Sequence, residues 1–272
     1  YKALERDELR LHFQPQFDCT SGAITGVEAL LRWEHGGKLV PPGDFIPLAE
    51  ETGLIIGMGE WVLRRACHMA QQWRERTGWP LRVAVNLSAV QLEQTDITEV
   101  VASALRDTGL PAAALELEIT ESVVVRESLR AADVLNQLRK LGTSIAIDDF
   151  GVGYSSFAYL RELPVDRFKL DRSFLSAIPQ SEADSRIASA LIAMAHRLEV
   201  GIVAEGVETA EQAAFLKDHG CDECQGFYLG RPMPENRFET LLIEHSAGHQ
   251  DLLAELIARH AAETKFRMRQ LA

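Results

Sequence analysis

Apolar residues along this chain follow two periods. Eight short stretches alternate or run apolar as strands do, at residues 11–17, 24–33, 82–88, 115–120, 144–150, 167–171, 201–208 and 223–229. Between most of them the spacing changes to that of a helix. Val62, Ala66, Met69, Ala70 and Trp73 define one apolar stripe, and Ile187, Leu191, Met194, Ala195 and Leu198 define another. Shorter helices are predicted over 128–141 and 211–219, the second closed by Gly220 at a C-cap position. Strands alternating with helices predict βαβ units and a mainly parallel sheet. Eight such strands predict an α/β fold, a (β/α)8 TIM-like barrel. Only six residues, 18–23, separate the first two strands. That gap is too short for a crossover helix, so the first strand is expected to run antiparallel. The barrel is expected over 1–243. The run from His245 to His249 reads as a break, and 251–272 as an extra C-terminal helix with Leu252, Leu253, Leu256 and Ile257 on its apolar face. Its basic end, Lys265 to Arg269, suits a helix C-terminus.

The strands share an unusual face. Successive strand residues point to opposite sides, so Glu28, Leu30 and Arg32 share one side while Val27, Ala29 and Leu31 share the other. The same division gives Ala84, Asn86 and Ser88, then Glu116, Glu118 and Thr120, then Ser144, Ala146 and Asp148, each set opposed by aliphatic residues. If the aliphatic side meets the helices, the polar side lines the barrel, where Val, Ile and Leu are usual. Buried carboxylates are unfavourable unless paired or bound to a cation. Glu28, Asn86, Glu118, Asp148 and Glu205 fall near the C-terminal ends of their strands, where barrels of this class keep their chemistry. Oxygen donors without histidine suit a hard cation such as Mg²⁺ or Mn²⁺. Lys169 within a short strand, and a glycine-containing loop from Asp149 to Ser156, add the features of a phosphate ligand and a closing loop.

The overall charge changes this picture little. The net charge of −12 over 272 residues argues against a basic groove for nucleic-acid polymers, but not against a small anion held through metal ions. No apolar run reaches the length of a membrane span and no signal-peptide pattern opens the chain, so a cytoplasmic domain is expected, whose parent could still be membrane-attached. The first residue is Tyr1, and the chain is expected to be cut from a longer protein. Four cysteines suit a reducing compartment. Cys221 and Cys224, with His219 before them, have the spacing of half a zinc knuckle; a structural zinc site needs four ligands and no second pair exists, so they read as two half-buried thiols at a strand edge.

Nine motifs, in order, carry a family resemblance. They are Phe13-Gln-Pro-Gln16, Glu28-Ala-Leu-Leu-Arg-Trp33, the run from Phe45 to Leu54, Val85-Asn-Leu-Ser88, Glu118-Ile-Thr-Glu-Ser122, the run from Asp148 to Ser156, Lys169-Leu-Asp-Arg-Ser-Phe174, Ala204-Glu-Gly-Val-Glu-Thr209 and Gln225-Gly226. From about Leu4 to Leu242 the chain resembles the EAL-domain cyclic di-GMP phosphodiesterases of bacterial signalling. The resemblance implies a barrel with an antiparallel first strand. It also implies metal-dependent hydrolysis of cyclic di-GMP to linear pGpG, using Mg²⁺ or Mn²⁺, with Ca²⁺ inhibitory. By motif, Glu28, Asn86, Glu118 and Asp148 should hold one metal, with Asp148 bridging to a second near Asp149; two such ions can activate water and stabilise charge on attacking and leaving oxygens. Lys169 and Glu205 take catalytic roles, Glu205 as the family's proposed general base. Gln14, Leu30, Arg32 and Gln225 are assigned to the substrate, with Gln14 and Leu30 at a guanine. Glu121 should hold the loop after Asp149, and Glu208 should be a structural partner. Silent members usually lack one of the acidic ligands and serve as cyclic di-GMP receptors or protein-binding modules. All those positions are filled here, which favours an active enzyme. A homodimer and an upstream regulatory domain outside this chain are further expectations.

Overall fold

The computed structural model describes residues 2–126, 128–153 and 164–247. Among them, ten strands form one sheet. Strands β1 (Leu9–Asp18), β2 (Ile24–His35), β4 (Arg82–Asn86), β5 (Leu115–Thr120), β6 (Ser144–Phe150), β7 (Arg167–Leu170), β8 (Gly201–Ala204) and β9 (Glu223–Cys224) close into a ring, because β1 pairs with both β2 and β9. Two short strands, β3 (Lys38–Val40) and β10 (Met233–Pro234), flank the ring. As the short 18–23 connection requires, β1 runs antiparallel to both neighbours, while β2 and β4 through β9 pair in parallel.

Besides a single turn at Lys2–Glu5 and two short 3-10 segments, the helices are α1 (Pro42–Glu51), α2 (Leu54–Thr77), α3 (Ala89–Gln94), α4 (Ile97–Thr108), α5 (Glu121–Arg126), α6 (Ser128–Lys140), α7 (Glu182–Arg197), α8 (Ala210–Asp218) and α9 (Glu235–Ser246). In α2 the expected stripe is buried from Val62 to Trp73. In α7 Ala195 of the expected stripe is buried and Leu191, Met194 and Leu198 pack half-buried on the core, but Ala188 and Ile192 lie deeper and Ile187 is exposed. Helix α9 runs unbroken through 243 to Ser246 and packs on β1 and α2 through Phe238 and Leu242. Trp73 is edge-on to Phe13 at 4.8 Å and close to Phe238 at 4.8 Å, which fixes that layer. His245 is also buried, and its Nε2 accepts from the Ile24 N–H at 3.0 Å. The helix expected over 251–272 lies outside the described residues.

Several strand ends differ from expectation for local reasons. Ser88 leaves β4 to cap α3 in a reciprocal capping box with Gln91. Strand β8 stops at Ala204 because Gly206 takes φ +68°, a left-handed turn. Strand β9 has only two residues, since the chain beyond Gln225 packs on the Val207 backbone instead of extending the ladder. Strand β3 was not anticipated. It follows Gly36 and Gly37, both at positive φ, which form the two-residue turn of a tight hairpin.

The outer face of the sheet carries the aliphatic core against the helices. The interior is polar. At its floor, Arg82 bridges Glu116 (3.2 Å) and Glu223, and Arg167 reaches Glu116 at 2.6 Å and Glu223 at 3.7 Å. The Arg82 guanidinium also donates to Gln16 at 3.0 Å. Two guanidiniums and two carboxylates balance, which is how the buried Glu116 and Glu223 keep their charge at the barrel floor, with Arg167 half-buried at its edge.

Candidate active site

One layer above this floor, toward the strand C-termini, the carboxylates converge on a single ammonium. Lys169 is buried, with its Nζ 2.7 Å from Glu205, 2.8 Å from Glu118, 3.3 Å from Asp148 and 3.7 Å from Glu28. Each reaches this point by strand alternation. Glu28 sits on β2 opposite Gln14 of β1, and Glu118 on β5 opposite Asn86 of β4. Asp148 lies on β6, and Glu205 stands just past β8, where its N–H donates to Leu170.

Amides orient Glu28. Asn86 Nδ2 donates to one oxygen at 2.8 Å, and Gln225 Nε2 to the other at 2.5 Å. Gln225 also donates to Gln14 at 3.1 Å, and Gln14 to the Gly230 carbonyl at 2.9 Å. Gln14 and Gln225, assigned by resemblance to the substrate, are therefore engaged with a carboxylate and a loop carbonyl in this structure.

Burial divides the titrations. It opposes charge on Lys169, but the four carboxylates outweigh it and hold the ammonium well above the usual lysine range. Burial and then Glu28 push Glu118 well above the ordinary carboxylate range. Glu28 stays below it despite burial, because Lys169, Gln225 and Asn86 all favour its anion. Burial lifts Glu205 to about 7, with Lys169 pulling the other way. Asp149 rises through burial and its neighbour Asp148.

Asp149 adopts φ +54°, a left-handed conformation that aspartate tolerates better than most residues, and its N–H donates to the Asp148 side chain at 2.9 Å. The next turn is held from α5, where Glu121 accepts from the Gly151 N–H at 2.9 Å. Gly153 leaves the room for this contact, since an added Cβ would lie 2.5 Å from Glu121 Oε1. The expected closing loop is described as far as Gly153; residues 154–156 lie outside the described residues. Glu208 is exposed, and its N–H donates to Gln212 at 2.7 Å, so it stands beside Thr209, the N-cap of α8, rather than in the carboxylate cluster.

The donor set fits a hard cation in kind. Glu28, Glu118, Asp148 and the Asn86 amide offer oxygen, and the buried Glu118 Oε1 meets no hydrogen-bond donor. The carboxylates are gathered on Lys169 rather than on an open centre, so among the described residues no ready-made acidic cluster has cation geometry. Binding a cation requires the Asn86 amide to turn its oxygen inward and carboxylate oxygens to swing from the ammonium.

Two cavities meet at Arg32, the first reaching Asn86 at the edge of the cluster. One of about 510 Å³ is lined by Leu30, Arg32, Asn86 and Thr120. A second, of about 360 Å³, is lined by His12, Arg32, Phe227 and Arg231. Arg32 borders both, and burial lowers its basicity. His12, Phe227 and Arg231 escaped the sequence reading. His12 was recoverable, being two residues before Gln14 on one strand face; Phe227 and Arg231, stacked at 4.3 Å, come from a loop that only barrel closure brings to β1.

The EAL domain family profile matches residues 1–232. The chain belongs to the EAL-domain family. Its curated relatives include the bifunctional diguanylate cyclase/cyclic di-GMP phosphodiesterase MucR of Pseudomonas aeruginosa, 46% identical over 234 residues, spanning 86% of this chain and 34% of that protein. The cyclic di-GMP phosphodiesterase NbdA of the same organism is 45% identical over 242 residues, spanning 89% of this chain and 31% of that protein. Among solved structures, the MucR phosphodiesterase in complex with c-di-GMP superposes with a TM-score of 0.84 at 45% identity, covering 87% of this chain and 96% of that chain. The chain spans about a third of the length of the curated relatives it matches.

Proposed function

We propose that this domain hydrolyses cyclic di-GMP to linear pGpG, in a reaction that depends on Mg²⁺ or Mn²⁺ and is inhibited by Ca²⁺. The observation that carries this reading is the buried Lys169 ammonium with four strand-end carboxylates around it at the barrel mouth. The relatives named as cyclic di-GMP phosphodiesterases, at 45–46% identity, support the substrate.

In this reading Glu28, Asn86, Glu118 and Asp148 hold one cation, with Asp148 and Asp149 serving a second. Bound divalent cations would supply Lewis-acid charge to the phosphate and lower the pKa of water. The chain's own groups do the rest. Arg32, between the two cavities, offers a planar fork to a phosphate. Leu30 borders the apolar cavity suited to a base. Glu205, lifted to about 7, is matched to taking a proton from water near neutrality. Water adds to phosphorus, the P–O3′ bond breaks, and the departing oxygen ends as a hydroxyl. Lys169 keeps a fixed positive charge beside the phosphorane as it gains charge. Gln225 and Gln14 keep Glu28 aimed. Glu121 holds the turn after Asp149.

The same reading includes a homodimer and a regulatory region elsewhere in the parent protein; the short span of this chain within its relatives supports the latter. No helix among the described residues is long and apolar enough to cross a membrane.

The test is incubation with cyclic di-GMP and Mg²⁺, Mn²⁺, Ca²⁺ or chelator, with products separated by chromatography. Linear pGpG should form with Mg²⁺ or Mn²⁺ only, and Glu28→Ala and Asp148→Ala should each lose at least about a hundredfold in rate. Tight binding without hydrolysis under any metal would assign a receptor instead.

A further inference from the structure

Three of the four cysteines meet at a place the hydrolytic chemistry does not use. Cys19 follows β1, while Cys221 precedes β9 and Cys224 closes it. The antiparallel register sets Phe17 opposite Cys224 and Asp18 opposite Glu223, and the Cys19 N–H donates to the Asp222 carbonyl at 2.9 Å. Cys19 is therefore carried against the Cys221–Cys224 turn, from the far end of the chain. All three thiols are free, and none is more than 2% exposed. Cys67, the fourth, lies apart on α2.

The sulfurs feel one another. Cys221 lowers the Cys19 titration, while Cys224 and burial push it up on balance. Cys19 and burial push the Cys221 thiol up. Cys221 Sγ lies 3.2 Å from the Glu223 carbonyl. The cover over the trio is thin. Thr20 and Ser21 on one side, and Gly220 and Asp222 on the other, are exposed turn residues. Exposed turns of this kind open locally far below the free energy of global unfolding.

We propose that Cys19, Cys221 and Cys224 form a redox-active thiol trio, in which a hydroperoxide drives a disulfide from Cys19 to Cys221 or Cys224 and staples the reversed strand β1 to β9. The balance is two-step. The Cys19 thiolate attacks the peroxide oxygen, an alcohol leaves, and a sulfenic acid remains; a second thiol attacks that sulfur and water leaves. Two electrons pass from the two sulfurs to the peroxide, and both thiol protons end in the alcohol and the water. Protonated, covered thiols are slow nucleophiles, so the reaction follows opening of the 20–22 turn, and the trio stays reduced while that turn is closed.

The test treats the whole chain with excess hydrogen peroxide under native conditions. Remaining thiols are alkylated in denaturant, and tryptic peptides are mapped without reduction. The expected product joins the peptide 11–32 to the peptide 218–237, lighter by two hydrogens than their sum apart from one alkyl group on the cysteine left unpaired, and it is lost on reduction. Cys19→Ala should remove it, and Cys67→Ala should leave it. Full alkylation of all three thiols, oxidation only to sulfinic or sulfonic acids, or a link confined within 218–237 would overturn the proposal. The wild-type map alone decides this, should Cys19→Ala fail to fold.

Discussion

Lys169 meets four carboxylates within 3.7 Å from a fully buried position, so both its charge and its shape are fixed by its partners. Removing one member of a buried ion cluster leaves uncompensated charge, worth about 3–5 kcal/mol. Lys169→Met should therefore destabilise the metal-free domain by about that amount in urea unfolding, and lower kcat by about 10²–10³-fold. Wild-type stability together with wild-type turnover would remove Lys169 from the site. Glu205 gives a pH signature. Its folded titration, near 7, lies above the ordinary 4.5. Between those values the folded state holds more protons than the unfolded chain, so this group's contribution to stability falls as pH rises. Glu28, held below 4.5, acts in the opposite sense and in a lower window. In chelator, thermal unfolding across roughly pH 5 to 8 should show wild-type stability declining relative to Glu205→Gln. Parallel curves for the two proteins would contradict this assignment.

At the scale of elements, the site depends on close backbone contacts as much as on the carboxylates. A Cβ added to Gly226 would stand 2.1 Å from the Val207 carbonyl oxygen and 2.2 Å from the Val207 nitrogen. Backbone cannot swing aside as a side chain can, so Gly226→Ala must displace the chain beside Gln225. We expect a loss of about 1–3 kcal/mol in denaturant unfolding and a fall in turnover as Glu28 loses its amide. Unchanged values of both would show that the loop tolerates the shift. The same contacts explain what could be read in advance. Glu116, Glu118, Asp148 and Asn86 were legible because period-two alternation sorts each strand without knowledge of its neighbours. The short extent of β8 and β9 was not, because Gly206 and Gly226 end those strands through a turn and a packing contact that an apolar run does not record. Nor was the Gly36–Gly37 hairpin, whose strand β3 has only three residues, too few for a period to register.

For the whole molecule, barrel closure converts a polar interior from a liability into a graded structure. The floor of Arg82, Arg167, Glu116 and Glu223 is balanced, whereas the layer above it carries excess negative charge around one lysine. Sequence showed Glu116 facing inward but gave no partner for it, since Arg82 and Arg167 reach it only when distant strands become neighbours. Arg82→Met should destabilise the domain by about 3–5 kcal/mol through the unpaired carboxylates, measured in urea; no change would mean the floor is not holding the seam. The net charge of −12 is then of two kinds. Most is solvated surface, while in the proposed reading a few carboxylates make a mouth that would repel an anionic dinucleotide until cations reverse the local sign. That reversal followed by hydrolysis is the central claim. Its most direct test is turnover of cyclic di-GMP in ¹⁸O-labelled water with Mg²⁺ or Mn²⁺, read by mass spectrometry. The account predicts linear pGpG with one labelled oxygen on its terminal phosphate, and none in chelator; cyclic di-GMP returned intact from a folded, metal-loaded domain would contradict it.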